Sequence, residues 1–141
     1  MYESLTKFIP LIEKADAYGE WFIDRKHAGT ADDPWQMPFV NYSDVVNAFR
    51  SALGTFVDKH PNMQLTSYGE ILEENGISWG FEPMENVDVS NFSGRTVMAL
   101  LVGAVRAERF CDGALLHFFE NGCITRWLQR LKEIDNASSN Y

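Results

Sequence analysis

Residues 105–131, VRAERFCDGALLHFFENGCITRWLQRL, gather four arginines, three acidic side chains, one histidine and both cysteines of the chain into one apolar-rich stretch. Arg106 and Arg109 are of the type that grips a carboxylate or phosphate through two parallel N–H donors. Glu108 and Asp112, close by in the chain, are of the type that takes a proton from a bound substrate. Arg106, Glu108, Arg109 and Asp112 are therefore the candidate ligand-binding residues. The same groups also suit a structural task, an internal ion-pair network that docks neighbouring helices, since such networks arise without any chemistry.

Helical geometry separates the four. A rotation of about 100° per residue places Arg95, Ala99, Val102, Arg106 and Arg109 along one stripe, and puts Glu108 on the side of Val97, Leu101 and Ala104. A carboxylate on an apolar face must be neutral, paired or hydrogen-bonded, because unpaired burial of an ion costs several kcal/mol. The expectation is that a cation meets Glu108, supplied by Arg126, Arg130 or His117 from the elements that follow.

Other chemistries fit less well. Cys111-x5-His117-x5-Cys123 offers only three ligands, evenly spaced across regular elements, whereas structural zinc takes four and pairs them at short loop spacings. Asp112 next to Cys111 works against thiolate formation, so a cysteine nucleophile is disfavoured. GxSxG, a glycine-rich phosphate loop and HExxH do not occur, and no metal or cofactor is expected. The loop aromatics Trp35, Phe39, Tyr42, Trp79 and Phe81 read mainly as core filling beneath loops, and otherwise as a surface for a partner.

The elements that must position these groups are mostly helical. Leu5, Phe8, Ile9, Ile12, Ala15 and Tyr18 recur at helical spacing, but Pro10 lies inside the pattern, which predicts a helix that breaks and restarts there. Residues 27–42, HAGTADDPWQMPFVNY, keep no period and read as a long loop pinned by Trp35, Phe39 and Tyr42. Ser43 caps a helix that His60-Pro61 stops. A shorter helix over 67–75 ends at Gly76, with Ile77 folding back on Leu72. In the turn-rich stretch that follows, Trp79 and Phe81 are expected to plug the core.

Ser93 caps the next helix, apolar nearly all round over 97–105 and hence central, and Gly113 closes it. ALLHFF at 114–119 reads as a short strand, with Glu120-Asn121-Gly122 as a turn and a short hairpin there. Ile124, Trp127, Leu128, Leu131 and Ile134 form the apolar stripe of a last helix, and residues 136–141 read as a frayed, disordered tail. The fold class is thus α+β, mainly α, with about five helices and a small C-terminal strand or hairpin element, in one globular domain over 1–135.

Composition narrows function by exclusion. A chain of 141 residues, 45% of them apolar, suffices for one domain with a proper core. The formal net charge is −8, which repels phosphate backbones at long range and disfavours nucleic acid as a partner. Charge is uneven: residues 1–93 carry 6 basic and 15 acidic side chains, residues 94–132 carry 6 and 3. The acidic part either covers the basic segment within the fold or leaves it to meet an anion. No apolar run approaches the roughly 18 residues of a membrane span. The N-terminal MYESLTKFIP lacks the pattern of a secretory signal, and with two unpatterned cysteines the expected compartment is the cytoplasm.

The segment GRTVMALLVGAVRAERFCDGALLHFFENGCITRWLQRLKEID resembles the signature of an uncharacterised bacterial family known only as a domain of unknown function. The resemblance lies in an Arg-acid-Arg-Phe-x-Asp-Gly segment, an apolar run, a turn and an Arg-Trp helix. MPFVNYSDVVNAF is similar to that family's other recurring segment, a proline-bearing loop feeding a helix. Together they cover somewhat under half the chain. The resemblance implies a small soluble bacterial domain and carries over no catalytic residues. The expected function is a noncatalytic interaction or ligand-binding module, self-associating or meeting a protein partner through its aromatic loops. The alternative is a small enzyme or anionic-metabolite binder built on Arg106, Glu108, Arg109 and Asp112.

Overall fold

Local signals in the chain account for most of the helix boundaries of the computed structural model, which describes residues 1–139. In chain order the elements are α1 (Glu3–Thr6), α2 (Ile9–Lys14), β1 (Gly19–Phe22), β2 (Phe39–Tyr42), α3 (Asp44–Lys59), α4 (Tyr68–Glu74), α5 (Phe81–Glu85), α6 (Gly94–Ala107), α7 (Ala114–Glu120) and α8 (Cys123–Ser139). Two 3₁₀ turns, Pro61–Met63 and Leu65–Ser67, lead from α3 into α4.

The first helical pattern breaks as Pro10 requires. It divides into α1 and α2, with the proline in the first turn of α2, where an N–H has no intrahelical partner to lose. Ser43 and Ser93 cap α3 and α6, accepting from the Val46 N–H at 3.4 Å and the Thr96 N–H at 3.3 Å. α4 ends in a Schellman turn: the Ile77 N–H donates to the Leu72 carbonyl at 2.9 Å and the Gly76 N–H to that of Glu73 at 3.0 Å. Gly76 takes the left-handed conformation this needs, at φ 75°.

α6 is the axis of the fold. Every residue from Thr96 to Ala104 is buried, and α4, α7 and α8 pack around it. One continuous apolar core runs from Tyr2 to Leu131, with Phe49, Phe118, Phe119, Trp127 and Met98 among its largest fully buried side chains. The stripe Ile124, Trp127, Leu128 and Leu131 of α8 is fully inside. The close approach of Tyr2 to the start of α6 depends on Gly94, because a Cβ there would overlap the buried phenol.

The β element lies elsewhere than expected. Residues 114–119 form most of α7, not a strand, and the two-stranded antiparallel sheet is β1 with β2, Gly19 opposite Tyr42 and Phe22 opposite Phe39. A short apolar run carries no decisive period. In ALLHFFE the exposed positions are His117 and Glu120, three apart, while Leu115, Leu116, Phe118 and Phe119 are all buried. Such a segment meets neighbours on nearly every side, and a helix meets the backbone's needs within itself. The turn Glu120-Asn121-Gly122 joins α7 to α8, and the Asn121 side chain accepts from the Cys123 N–H at 3.1 Å. α5 and α7 were not among the five expected helices. α8 continues through Ser139, past the point where fraying was expected at 136, and residues 140–141 lie outside the described residues.

The loop between the strands is organised locally. The Asp24 carboxylate accepts from the N–H groups of Gln36 at 2.7 Å, Lys26 at 2.9 Å and His27 at 3.2 Å, and faces His27 Nδ1 at 2.7 Å. These bonds, the one from Gln36 foremost, hold its carboxyl well below the usual carboxylate range. Trp35 does not pin the loop to the core. Its indole donates to the His27 carbonyl at 2.6 Å and packs on Gly29, inside the loop itself, and 64% of the residue is exposed.

Two glycine substitutions separate these roles. Gly54→Ala, in mid-α3 with open space where a Cβ would go, should raise unfolding stability by about 0.5–1 kcal/mol. Gly94→Ala should lower it by about 1–3 kcal/mol, because Tyr2 must shift. Urea denaturation of both variants measures the difference.

Candidate functional site

Glu108 follows directly on the last turn of α6 and is half-buried. The chain then turns through 109–112 and re-enters a helix at Ala114 by way of Gly113, whose φ of 89° is left-handed. That turn brings the start of α7 onto the Glu108 carboxylate. Its oxygens accept from the Gly113 N–H at 3.0 and 3.1 Å and from the Leu115 N–H at 3.0 Å. The Tyr42 hydroxyl of β2 donates to Oε1 at 2.6 Å and itself accepts from the Leu116 N–H at 3.0 Å. Three N–H groups at the start of α7, which no intrahelical carbonyl can satisfy, are thus met by one carboxylate and one phenol.

The expected guanidinium partner for Glu108 is therefore not what meets it. Among the described residues no Arg, Lys or His forms an ion pair with it. Arg130 donates to the Phe92 carbonyl at 3.0 and 3.1 Å, Arg126 to the Glu85 carbonyl at 2.7 Å, and His117 contacts the Glu85 carboxylate. Backbone N–H donors at a helix start satisfy a carboxylate as well as a cation does, with no second charge to desolvate. Tyr42 is correspondingly perturbed: burial, then the bond to Glu108, pushes its hydroxyl well above the ordinary value near 10.

Arg106 and Arg109 lie on the other side of the α6 end. With Arg50 they line a cavity of about 270 Å³ between α3 and α6. Helical spacing builds it from both sides. Arg50, Gly54, Val57 and Asp58 form one stripe of α3, and Val102, Val105, Arg106 and Arg109 face them from α6 and its extension, with Leu53 and Val102 as a buried floor. Gly54 leaves open the space a side chain would take. Among the described residues none of the three guanidinium groups has a carboxylate within 4.0 Å, so three positive charges meet one negative, Asp58, around the same space. Arg50 also stands 5.4 Å from the centre of the Tyr42 ring, in cation–π geometry. Tyr42 thus links the junction at Glu108 to Arg50 on the cavity wall.

The four sequence candidates divide three ways. Arg106 and Arg109 come together in the cavity, Glu108 is taken up as a helix cap, and Asp112 opens into a different cavity beside Cys111, Gly113 and His117. Arg50 was missed, although the wheel of α3 places it beside Leu53 and Gly54; only the tertiary fold, which sets α3 across the cavity from α6, brings it to the others. The exposed Cys111 and buried Cys123 are both free thiols, and no cluster of metal-ligating side chains occurs among the described residues.

Tyr42→Phe should cost about 1–3 kcal/mol by leaving the Leu116 N–H unsatisfied, and Glu108→Gln a similar amount, since an amide offers one acceptor oxygen where two are used. In a double-mutant cycle the two should couple by about 0.5–3 kcal/mol. A folded-state phenol raised above its unfolded value stabilises fully below about pH 10 and loses that contribution as pH climbs through the folded value. Thermal melting from pH 8 to 11.5 should therefore fall more steeply above pH 10 in wild type than in Tyr42→Phe.

Comparison with curated proteins and with solved structures returned no match to this chain. A family model matches residues 2–137, nearly its whole length. That span includes Tyr42, Arg50 and the entire 105–131 stretch, and the chain belongs to the family of unknown function DUF6508.

Proposed function

We propose that the chain is a noncatalytic ligand-binding module of the bacterial cytoplasm that captures a small anion, a carboxylate or phosphate, in the cavity between α3 and α6. The observation that carries this reading is the convergence of Arg50, Arg106 and Arg109 on one space without carboxylate partners. Three guanidinium groups around a space with a single carboxylate, Asp58, leave it net positive, and an anion that accepts their N–H donors offsets that charge. Arg106, in the last turn of α6, also favours the helix C-terminus, but that does not account for Arg50 arriving from α3. The volume, about 270 Å³, suits a small ligand, just below the usual range for drug-sized ones. Binding is preferred over turnover because Glu108 is committed to capping α7 and Asp112 opens elsewhere. The cytoplasmic assignment rests on two thiols that stay free.

A second reading has its own support. On the β1–β2 loop Trp35 is 64% and Met37 76% exposed, apolar surface of the kind that marks a protein partner or a second copy of the chain.

Isothermal titration with inorganic phosphate and with citrate, on wild type, Arg50→Ala and Arg109→Ala, tests the proposal. Wild type should bind at least one anion, and at a hundredfold excess over Kd should gain about 2.7 kcal/mol of stability. Each variant should weaken binding tenfold or more, and added salt should weaken it in wild type. Absence of binding, or equal binding by all three proteins, overturns it. Light scattering from 10 to 500 μM tests self-association, which a strictly monomeric profile would sink.

A further inference from the structure

A second cavity, on the opposite side of the α6 end from the arginines, has the reverse chemistry. It measures about 190 Å³ and is walled by Trp79, Phe81, Met84, Phe110 and Phe118, with hardly a polar atom on its surface. Trp79 and Phe81 do not plug the core as expected. They stand 40% and 39% exposed, and Phe110 is 75% exposed. The rings are nonetheless ordered against one another: Trp79 meets Phe110 edge to face at 5.5 Å, and Phe81 stacks on Phe118 at 5.6 Å. The Trp79 indole is fixed by its bond to the Gly103 carbonyl at 3.1 Å, and it lies close over Gly103, where a Cβ would sit 3.3 Å from the ring. The walls are thus positioned from the buried axis of the fold, although the rings they present are half in water.

Phe81 and Cys111 belong both to this cavity and to a neighbouring open one, whose charged lining is Glu82, Glu85, Asp112 and His117. Glu85 and His117 engage each other. Glu82 and Asp112 are exposed and have no cation within 4.0 Å among the described residues. An aromatic chamber therefore opens on a mouth that carries two uncompensated negative charges. Aromatic ring faces attract cations through their quadrupole, and apolar walls favour a hydrocarbon body. A neutral apolar ligand would leave the mouth unanswered, and an anion would be repelled by it.

We infer that the cavity between α5 and the α6–α7 turn binds an organic cation with an apolar body, an aromatic or alkyl ammonium compound, its hydrocarbon part among Trp79, Phe81 and Phe110 and its ammonium toward Glu82 and Asp112. This site is independent of the arginine cavity. Arg106 and Arg109 face one side of the α6 end, while Ala107 and Phe110 face the other.

The test uses the intact chain and three soluble probes of one shape: 2-phenylethylammonium, 2-phenylethanol and 3-phenylpropanoate. Each is titrated while the indole N–H resonance of Trp79 is followed by NMR, assigned by its loss in Trp79→Phe. The ammonium compound should shift that resonance and bind about tenfold or more tightly than the alcohol, a gap of about 1.4 kcal/mol, with the propanoate weakest. Phe110→Ala, a change at an exposed position, should weaken the ammonium compound about tenfold. The Glu82→Gln, Asp112→Asn double variant should bring ammonium and alcohol affinities together, and Arg109→Ala should change neither. Equal affinity for ammonium and alcohol in wild type, or no shift of Trp79 up to 20 mM ammonium probe, overturns the inference. So does a concentration-dependent dimer that Phe110→Ala dissolves, which would mean that a second copy covers the chamber.

Discussion

One carboxylate joins α6, α7 and the β ribbon. Glu108 accepts from the first backbone donors of α7 and from the hydroxyl of Tyr42, so the end of α6, the start of α7 and the β ribbon meet at a single group. Hydrogen bonds to a charged acceptor contribute about 1.5–3 kcal/mol each where water is partly excluded. The alternative is costly, since a half-buried carboxylate facing half-buried N–H groups has no good arrangement other than accepting from them. Trp21 of β1 reinforces the junction by packing against Gly113, at a spot where any side chain would collide with it.

Both cavities adjoin that junction. The end of α6 and the turn after it place Arg106 and Arg109 on one cavity and Ala107, Phe110 and Cys111 on the other. Tyr42 adds a direct tie, because the ring that reaches Glu108 also lies under the Arg50 guanidinium. A shift of the ribbon would move Arg50 relative to Arg106 and Arg109, and a shift of α7 would move Phe118 relative to Phe110. Among the described residues no Lys or Arg of 94–132 pairs with a carboxylate of 1–93. Arg95, Arg126 and Arg130 donate instead to the backbone carbonyls of Met63, Glu85 and Phe92, and Arg130 also pairs with Glu133 at 3.4 Å. A carbonyl satisfies the donors of a guanidinium and leaves its charge in place.

Arg106 and Arg109 could be picked out as a pair because they share a stripe of one helix. Glu108 could be recognised as inward-facing for the same reason, although what it meets there could not. A carboxylate on an apolar face states a demand for donors, and a helix start meets that demand as fully as an arginine does. Arg50 carried a weaker signal, one cation at the edge of an apolar stripe, and it joins Arg106 and Arg109 only when the fold sets α3 across a cavity from α6. Trp79, Phe81 and Trp35 misled in the other direction. Large aromatics between helices are usually buried, and here they stand at a cavity rim and in a self-contained loop.

The amino-acid sequence by itself determined what is local. The serine caps of α3 and α6, the proline break between α1 and α2, the Schellman end of α4, the all-round apolar α6 and the stripe of α8 each follow from residue types within a few positions of one another. Periodicity and backbone hydrogen bonding act at that range. Tertiary structure alone decided that the seven residues of α7 coil instead of extending, that GEWF pairs with FVNY across a loop, and that Glu108 finds a hydroxyl 66 positions away. A short apolar run satisfies either period, and only the neighbours packed around it favour one. Contacts between distant segments exist only after the core has closed, so nothing in their local composition records them.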